Sequence, residues 1–405
     1  MLDFFENISS EDAAIPALSS LRQKGKAAYR GLPAQKEESF KYTPVQNIFT
    51  PDMRQTTNPC HTHEHCTCHD KYLDFEAYEF SFCNGYLHEH FHHASGIEIA
   101  SLKEALAEHE AAKYINKFNL SDFPFAALNT ALLDQGAFIR ISKPLDKPIA
   151  LIYHTNQSGL INIRNLIVLE KEAKAEFIEV FEGDDKPYFT NITNEIFIGK
   201  GASLSHAKLQ KEGQNAVHIS FANIAAKESG TYQSHILQIG AKLARCETHV
   251  VLKEENAAAT VNAAYRIKGS QTTDITTNIE HISEQTSSNQ TVRGVVDESA
   301  HGVFQGKIHI APDAQRTEGH QQHKALLLSE NATLDAKPEL EIFADNVQCS
   351  HGTTSGDLSK DELFYLKSRG IDEPLARKIL TTAFLQTVFE KVENANIQAF
   401  LTNAL

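Results

Sequence analysis

A mainly β protein is predicted, with helical segments at either end of a long strand region, and three features of the 405-residue sequence carry that prediction. After Gly136 the runs FIRI, PIALIY, LINIRNLIVLE and AEFIEVFEG follow in quick succession, rich in Ile, Val and Phe. Within that region a polar residue or Gly repeatedly precedes Ala, the pattern of a tight turn. Helical spacing is found before the strand region and again after Ser350.

Taken in order, residues 10–31 read as an imperfect helix with Ser10 as N-cap, Gly31 as stop and Pro16 weakening its first half. LKEALAEHEAAKYINKF, residues 102–118, is a clearer helix of strong helix formers. Residues 1–135 are therefore expected to be a mainly helical N-terminal domain, with a His/Cys-rich variable segment at 58–95.

From 136 to 350 the sequence is strand-forming. The turn alanines are Ala173, Ala202, Ala241, Ala257, Ala300, Ala314 and Ala332, separated by 29, 39, 16, 43, 14 and 18 residues. Such gaps are too uneven for a strict repeat but fit solenoid coils in which a small side chain turns each corner and some coils lack the marker. A parallel β-helix is the favoured reading; a β-sandwich or barrel with Ala in its loops is the alternative.

Residues 351–405 are expected to form a small C-terminal helical domain. Ser359 and Glu362 make a capping box ahead of LFYLKSRG. A second helix follows Asp372, with Pro374 in its first turn. Leu375, Ile379, Ala383, Thr387 and Lys391 recur by four, and Leu380, Phe384, Val388 and Val392 widen the stripe to an apolar face. That face is expected either to dock on a partner protein or to pack on the β region.

Composition bounds the function. Lys and Arg number 38 against 52 Asp and Glu, a net charge of −14, which repels a phosphate backbone and argues against nucleic acid as a partner. At 41% hydrophobic and 22% charged the chain is soluble and globular, and no run approaches the roughly 20 apolar residues of a membrane helix. MLDFFENISSED lacks the basic and apolar regions of a secretory signal, so the expected compartment is the cytoplasm. Six cysteines in such a chain are better read as metal ligands or reactive thiols than as a disulfide framework.

Histidine is concentrated. CHTHEHCTCH offers Cys60, His61, His63, His65, Cys66, Cys68 and His69, ligands suited to zinc, copper(I) or iron. His88, Glu89 and His92 satisfy H-E-x-x-H, but between Gly85 and Gly96 and among many histidines the match is cheap, so peptidase chemistry is disfavoured. No phosphate loop and no G-x-S-x-G elbow are present, so any nucleotide hydrolysis must come from a partner. In DNVQCSHGTTSG, Cys349 and His351 lie two apart; on an extended chain they face the same side, as a shared metal or cluster site requires.

PELEIFADNVQCSHGTTSG through LFYLKSRGIDEPLARKIL resembles the C-terminal signature of the SufB/SufD family of iron–sulfur cluster assembly proteins. VFQGKIHIAPDAQRTEGHQQHKALLLSENATLDAKP, IEHISEQTSSNQTVRGVV, ESFKYTP and LNTALLDQGAFIRI extend the resemblance over most of the chain. It is closer to the SufD branch, since CSHGTTSG stands where SufB-like chains carry an acidic H-E-A-type motif. The resemblance implies a right-handed parallel β-helix core between the two helical domains, and a non-catalytic scaffold subunit. It implies pairing with a SufB-like paralogue through the β-helices, leaving room for a homodimer when that paralogue is absent. Docking of a SufC-like ABC-type ATPase on the C-terminal helices is also implied, with Leu363, Phe364, Tyr365, Arg369, Leu380 and Phe384 as its candidate contacts. A transient iron–sulfur cluster shared with the SufB-like partner is implied at His351, with Cys349 assisting or lining the site. Nothing in the family speaks for the Cys60 to His69 tract, so an additional metal there rests on composition alone. Two other readings stay open: an independent metallochaperone-like protein using that tract, and a β-helix carbohydrate-active enzyme.

Overall fold

The computed structural model describes residues 15–49, 53–56, 71–87, 95–108 and 110–405. Three short strands come first: β1 (Tyr78–Cys83), β2 (Tyr86–Leu87) and β3 (Ile97–Ser101). The chain then alternates between two walls. One receives β4 (Ala137–Ile141), β6 (Gly159–Leu169), β8 (Tyr188–Ile198), β10 (Val217–Ala226), β12 (Leu243–Leu252), β14 (Thr272–His281), β16 (His301–Ile310) and β18 (Thr333–Ile342). The other receives β5 (Ile149–Thr155), β7 (Lys174–Gly183), β9 (Ser203–Gln210), β11 (Thr231–Gln238), β13 (Ala258–Ile267), β15 (Ser287–Val296), β17 (Thr317–Leu327) and β19 (Val347–Gly356). Each strand pairs in parallel with the strand two places on, so that Val217, Leu243, Thr272, His301 and Thr333 stack one per coil. This is the parallel β-solenoid that the corner alanines suggested, and not a sandwich, whose sheets would be antiparallel.

Alternate residues of both walls point inward and form one apolar core, in which Phe177, Ile192, Ile224, Val261, Ile279 and Val292 are fully buried. The uneven alanine gaps have a physical reason, because each coil has two corners. Where the chain passes from the even-numbered to the odd-numbered wall, Glu172, Gly201, Ser229, Asn256, Gln285 and Arg316 take positive φ, at intervals of 29, 28, 27, 29 and 31 residues. On the return, Ala241, Gly269 and Glu298 do so, at intervals of 28 and 29. Ala173, Ala202, Ala257 and Ala314 belong to the first series and Ala241, Ala300 and Ala332 to the second. All seven are buried, which is why a small side chain is needed there.

Polar side chains also enter the interior. Burial alone would raise the Glu179 carboxyl, but Lys208, His206 and Asn194 outweigh it and hold it down to about 2. His206 Nε2 lies 2.9 Å from Glu179 Oε2, and burial pushes the His206 imidazole pKa down.

The helices cover the outer faces. α1 (Pro16–Ala28) begins at Pro16, which opens the helix in its first turn rather than weakening it, because the N–H it lacks would have no helical partner there. The expected N-cap, Ser10, lies outside the described residues. The helix expected over 102–118 is only α2 (Leu102–Ala107), followed by a 3-10 turn at Ala111–Lys113. Ser101 and Glu104 start it with a full capping box, and Ala111 and Ile115 are drawn onto the apolar patch made by Phe138, Leu166 and Val168. α3 (Pro124–Ala131) lies so close to α1 that a Cβ on Gly25 would stand 2.3 Å from the Ala131 nitrogen.

ESFKYTP, residues 38–44, is a strap across the even-numbered wall. Phe40 lies under the Arg245 guanidinium, 4.4 Å from ring centroid to Cζ. Arg245 donates to the Ser39 carbonyl and to buried Asp274, which also accepts from the Thr43 hydroxyl.

At the other end, α4 (Lys360–Ser368), α5 (Glu373–Gln386) and α6 (Ala395–Asn403) return to the odd-numbered wall. Ser359 caps α4 by accepting from the Glu362 N–H, one half of the expected box. Leu385, Val388, Phe389, Val392, Ile397 and Leu401 pack on Ile178, Val180, Ala207, Leu209, Leu237 and Ala264. The predicted apolar stripe is thus divided: its C-terminal part is buried on the solenoid, while Leu375 and Ile379 stay exposed. Among the described residues no helix is long and apolar enough to cross a membrane.

Candidate functional site at the last coil

β19 is the last strand of its wall and pairs only with β17, so its other edge has no strand partner among the described residues. β18 likewise ends the opposite wall. An unpaired parallel edge presents a row of free N–H and C=O groups, a template for another chain.

Cys349 and His351 stand on β19 in register with Gly319 and Gln321 of β17. Two residues apart on a strand, they share the inward side. Cys349 packs beside Ile308, Ile310, Ala314 and Ala344, its sulfur 3.5 Å from where a Cβ on Gly319 would be. Partial burial pushes its thiol pKa up and so favours the protonated thiol, an effect that a hydrogen bond from the Gly319 backbone partly offsets. His351 is exposed at the mouth of the coil.

Beneath His351 runs a polar column. Gln321 Nε2 donates to Gln290 Oε1 at 3.2 Å, and that oxygen also accepts from the Thr277 hydroxyl. Gly306 makes room for it, since a Cβ there would come within 1.9 Å of Gln321 Nε2. Gln321 Oε1 and Gln290 Nε2 have no hydrogen-bond partner among the described residues. His323, one pair further along β17, stacks on Phe304 with centroids 4.9 Å apart and bonds to the Tyr265 hydroxyl at 3.0 Å. Burial pushes its pKa down to about 4, so it is a neutral packing residue. His320 meets Ser350 Oγ at 2.8 Å on the outer side of the strand pair. None of Thr277, Gln290, Gln321 and His323 was singled out from the sequence; their only signal was polar residues at inward positions of an alternating strand.

The structure thus brings Cys349 and His351 to one side of one strand. Among the described residues there is no group of three or more His, Cys, Asp or Glu placed to hold a metal ion. The last coil alone offers at most two ligands, and a tetrahedral iron would need others from elsewhere. Cys60, His61, His63, His65, Cys66, Cys68 and His69 lie outside the described residues, as do His88, Glu89 and His92.

The candidate docking residues separate into two groups. Phe364 and Tyr365 are 73% and 56% exposed, Arg369 lies over the Tyr365 ring at 5.3 Å, and Leu363 is half-buried. Leu380 is also half-buried. Phe384 faces the solenoid, with the Arg293 guanidinium 5.0 Å from its ring and donating to its carbonyl. Leu375 and Ile379 on α5 are exposed as well.

Residues 152–384 match the family model described as the SUF system FeS cluster assembly, SufBD core domain, and residues 3–151 match the SufBD protein N-terminal region. An iron–sulfur cluster assembly SufBD family protein of Synechocystis is 32% identical over 313 residues, covering 73% of this chain and 69% of that protein. Protein ABCI7, chloroplastic, of Arabidopsis thaliana is 31% identical, over 63% of this chain and 56% of that one. The iron–sulfur cluster assembly protein SufD of Escherichia coli is 26% identical over 378 residues, covering 91% and 87% of the two chains.

Proposed function

The chain belongs to the SufB/SufD family of iron–sulfur cluster assembly proteins, and on that premise we propose that it is a non-catalytic scaffold subunit on which a nascent cluster is built. The observation that carries the proposal is the open last coil, where His351 is exposed beside Cys349 on a strand whose outer edge has no strand partner among the described residues. In this reading a SufB-like paralogue continues both walls past β18 and β19. The cluster is cargo, held at the junction by His351 through its neutral imidazole together with ligands from the paralogue. Cys349, half-buried and protonated, lines the site and becomes a ligand only if its proton is lost. When the paralogue is absent, the same edges would serve a homodimer.

The ATPase is proposed to dock on the exposed face of α4 and α5, with Phe364, Tyr365 and Arg369 as direct contacts and Leu363 and Leu380 behind them. Leu375 and Ile379 join that surface, while Phe384 supports it from below. The motor would then act on the solenoid through the helices packed against its odd-numbered wall. Organised as 1–135, 136–350 and 351–405, the chain would give each partner its own surface. An additional metal at the Cys60 to His69 tract and a cytoplasmic location are further parts of the proposal, supported by composition.

The test of docking is co-expression with the ATPase and the SufB-like chain. Phe364→Asp combined with Ile379→Asp should weaken ATPase capture by at least about 30-fold, the loss expected for one buried aromatic anchor, and leave the SufB-like chain bound. Undiminished capture would remove the ATPase from this face.

A further inference from the structure

On the outer side of the even-numbered wall, away from the last coil, the chain segment 117–123 overhangs a groove of about 460 Å³. Its floor is a row of side chains one strand apart: Asn223 on β10, His249 on β12 and Asn278 on β14 are directly in register. One side is aromatic. The Phe123 ring lies 4.4 Å from Phe221 and 5.6 Å from His249, and Phe118 lies 5.2 Å from Phe221.

Each member of the row carries a buried polar atom with no hydrogen-bond partner among the described residues: Asn223 Oδ1, His249 Nδ1 and Asn278 Oδ1. Asn223 and His249 are themselves 4% and 7% exposed. Glu280 fixes what the His249 and Asn278 atoms are. Its Oε1 lies 2.8 Å from His249 Nε2 and 3.5 Å from Asn278 Nδ2. In the neutral ring, a carboxylate at Nε2 puts the proton there and leaves a lone pair on Nδ1. Drawing the Asn278 amide nitrogen the same way leaves its oxygen as the atom without a partner. The hydrogen bond from His249 holds the Glu280 carboxyl below its usual range, so a negative charge adjoins the row.

The three unpartnered atoms of the row are therefore acceptors, and an orphaned acceptor is costly unless a donor meets it. An anion does not fit. A single metal ion does not fit the row either, because neighbouring strands are about 4.8 Å apart and the two amides lie two strands from each other. Lys117 and Lys253 at the rim are exposed, and exposed Asp122 stands among the same lining residues. What fits is a planar group rich in N–H donors, cationic beside Glu280 and flat against Phe123.

We propose that this groove binds a guanidinium group, whose fork reaches two neighbouring acceptors of the Asn223–His249–Asn278 row while its face lies against Phe123. The chemistry is that of an arginine side chain, supplied either by a peptide segment or by free arginine. An ammonium group has the charge but neither the fork nor the face.

The test is titration of the full-length chain with Nα-acetyl-L-arginine amide, free L-arginine and Nα-acetyl-L-lysine amide, followed by long-range proton–nitrogen correlation of the imidazoles. The arginine amide should shift the His249 Nδ1 resonance saturably and bind about tenfold more tightly than the lysine amide. Glu280→Gln should weaken binding about tenfold, as expected for one charge-assisted hydrogen bond. Asn223→Leu should weaken it as well, with the circular dichroism of both variants unchanged. Tighter binding of the amide than of free arginine identifies a peptide as the source; equal or tighter binding of free arginine identifies the amino acid. Absence of a saturable shift with either guanidinium probe, or equal affinity for the lysine amide, overturns the proposal. So does undiminished binding by both folded variants.

Discussion

Lowering the pH from 7 to 5 should destabilise the solenoid by roughly 6 kcal/mol, because three buried histidines must stay neutral for the chain to remain folded. Burial pushes the imidazoles of His235, His281 and His323 down to about 4, helped at His235 by His206 and at His281 by His309. A histidine in the unfolded chain titrates near 6.5. Below it the unfolded chain takes up protons that the folded chain refuses. The stabilisation is thus complete above pH 6.5, is lost as the pH falls, and reaches its limit near pH 4. Each group contributes about 1.4 kcal/mol per pH unit in that window, about 2 kcal/mol by pH 5. Their settings explain the resistance: His281 is bonded through both ring nitrogens to Thr286 and Ser288, and His323 is stacked on Phe304. Urea denaturation at pH 7, 6 and 5 reads the effect as a falling midpoint. His323→Gln should remove about a third of the slope. A midpoint constant across that range would mean that these side chains are not buried as neutral rings.

Glu195→Ala should cost about 3–5 kcal/mol, the loss expected when one partner of a buried ion pair is left alone. Arg164 and Glu195 are 1% and 0% exposed at their side chains and meet at 2.6 Å on adjacent strands. Arg164 also donates to Asn129 and Thr130, and Glu195 accepts the backbone N–H groups of Asn116 and Lys117. The pair therefore ties the N-terminal segment to the even-numbered wall. Arg164→Met combined with Glu195→Leu should recover part of the loss. It should still fall short of the native chain by about 1–3 kcal/mol per backbone group left unpaired. Differential scanning calorimetry of the two variants decides it: a single substitution as stable as the native chain would show that water reaches the pair.

Much of the fold is legible in the sequence because a solenoid repeats one local decision. Branched and aromatic residues recur along most of the strands between 137 and 342, and the corner alanines follow left-handed residues such as Glu172, Gly201 and Asn256. The period itself was hidden, since two series of corners interleave along one chain. Element ends were hidden where tertiary packing overrides local preference, as with the early stop of α2 once Ala111 and Ile115 reach Phe138 and Leu166. Of the candidate site, the spacing of Cys349 and His351 already places them on one side of a strand. The polar column below them was not legible, because Gln290 and Gln321 become neighbours only through parallel register. The strap role of ESFKYTP escaped for the same reason: Ser39 and Thr43 meet Arg245 and Asp274 across some two hundred residues of chain. The acceptor row of Asn223, His249 and Asn278 likewise exists only after coiling.

His351, on the free edge of the last coil, is proposed to help hold a nascent cluster. Anaerobic purification of the tagged chain from its own cells, with iron and sulfide measured beside the proteins recovered, tests it most directly. The native chain should return with a SufB-like protein and an ABC-type ATPase, carrying iron and sulfide, and His351→Ala should lose most of the iron while keeping both partners. Iron retained in full by a His351→Ala complex that still holds both proteins would contradict the claim.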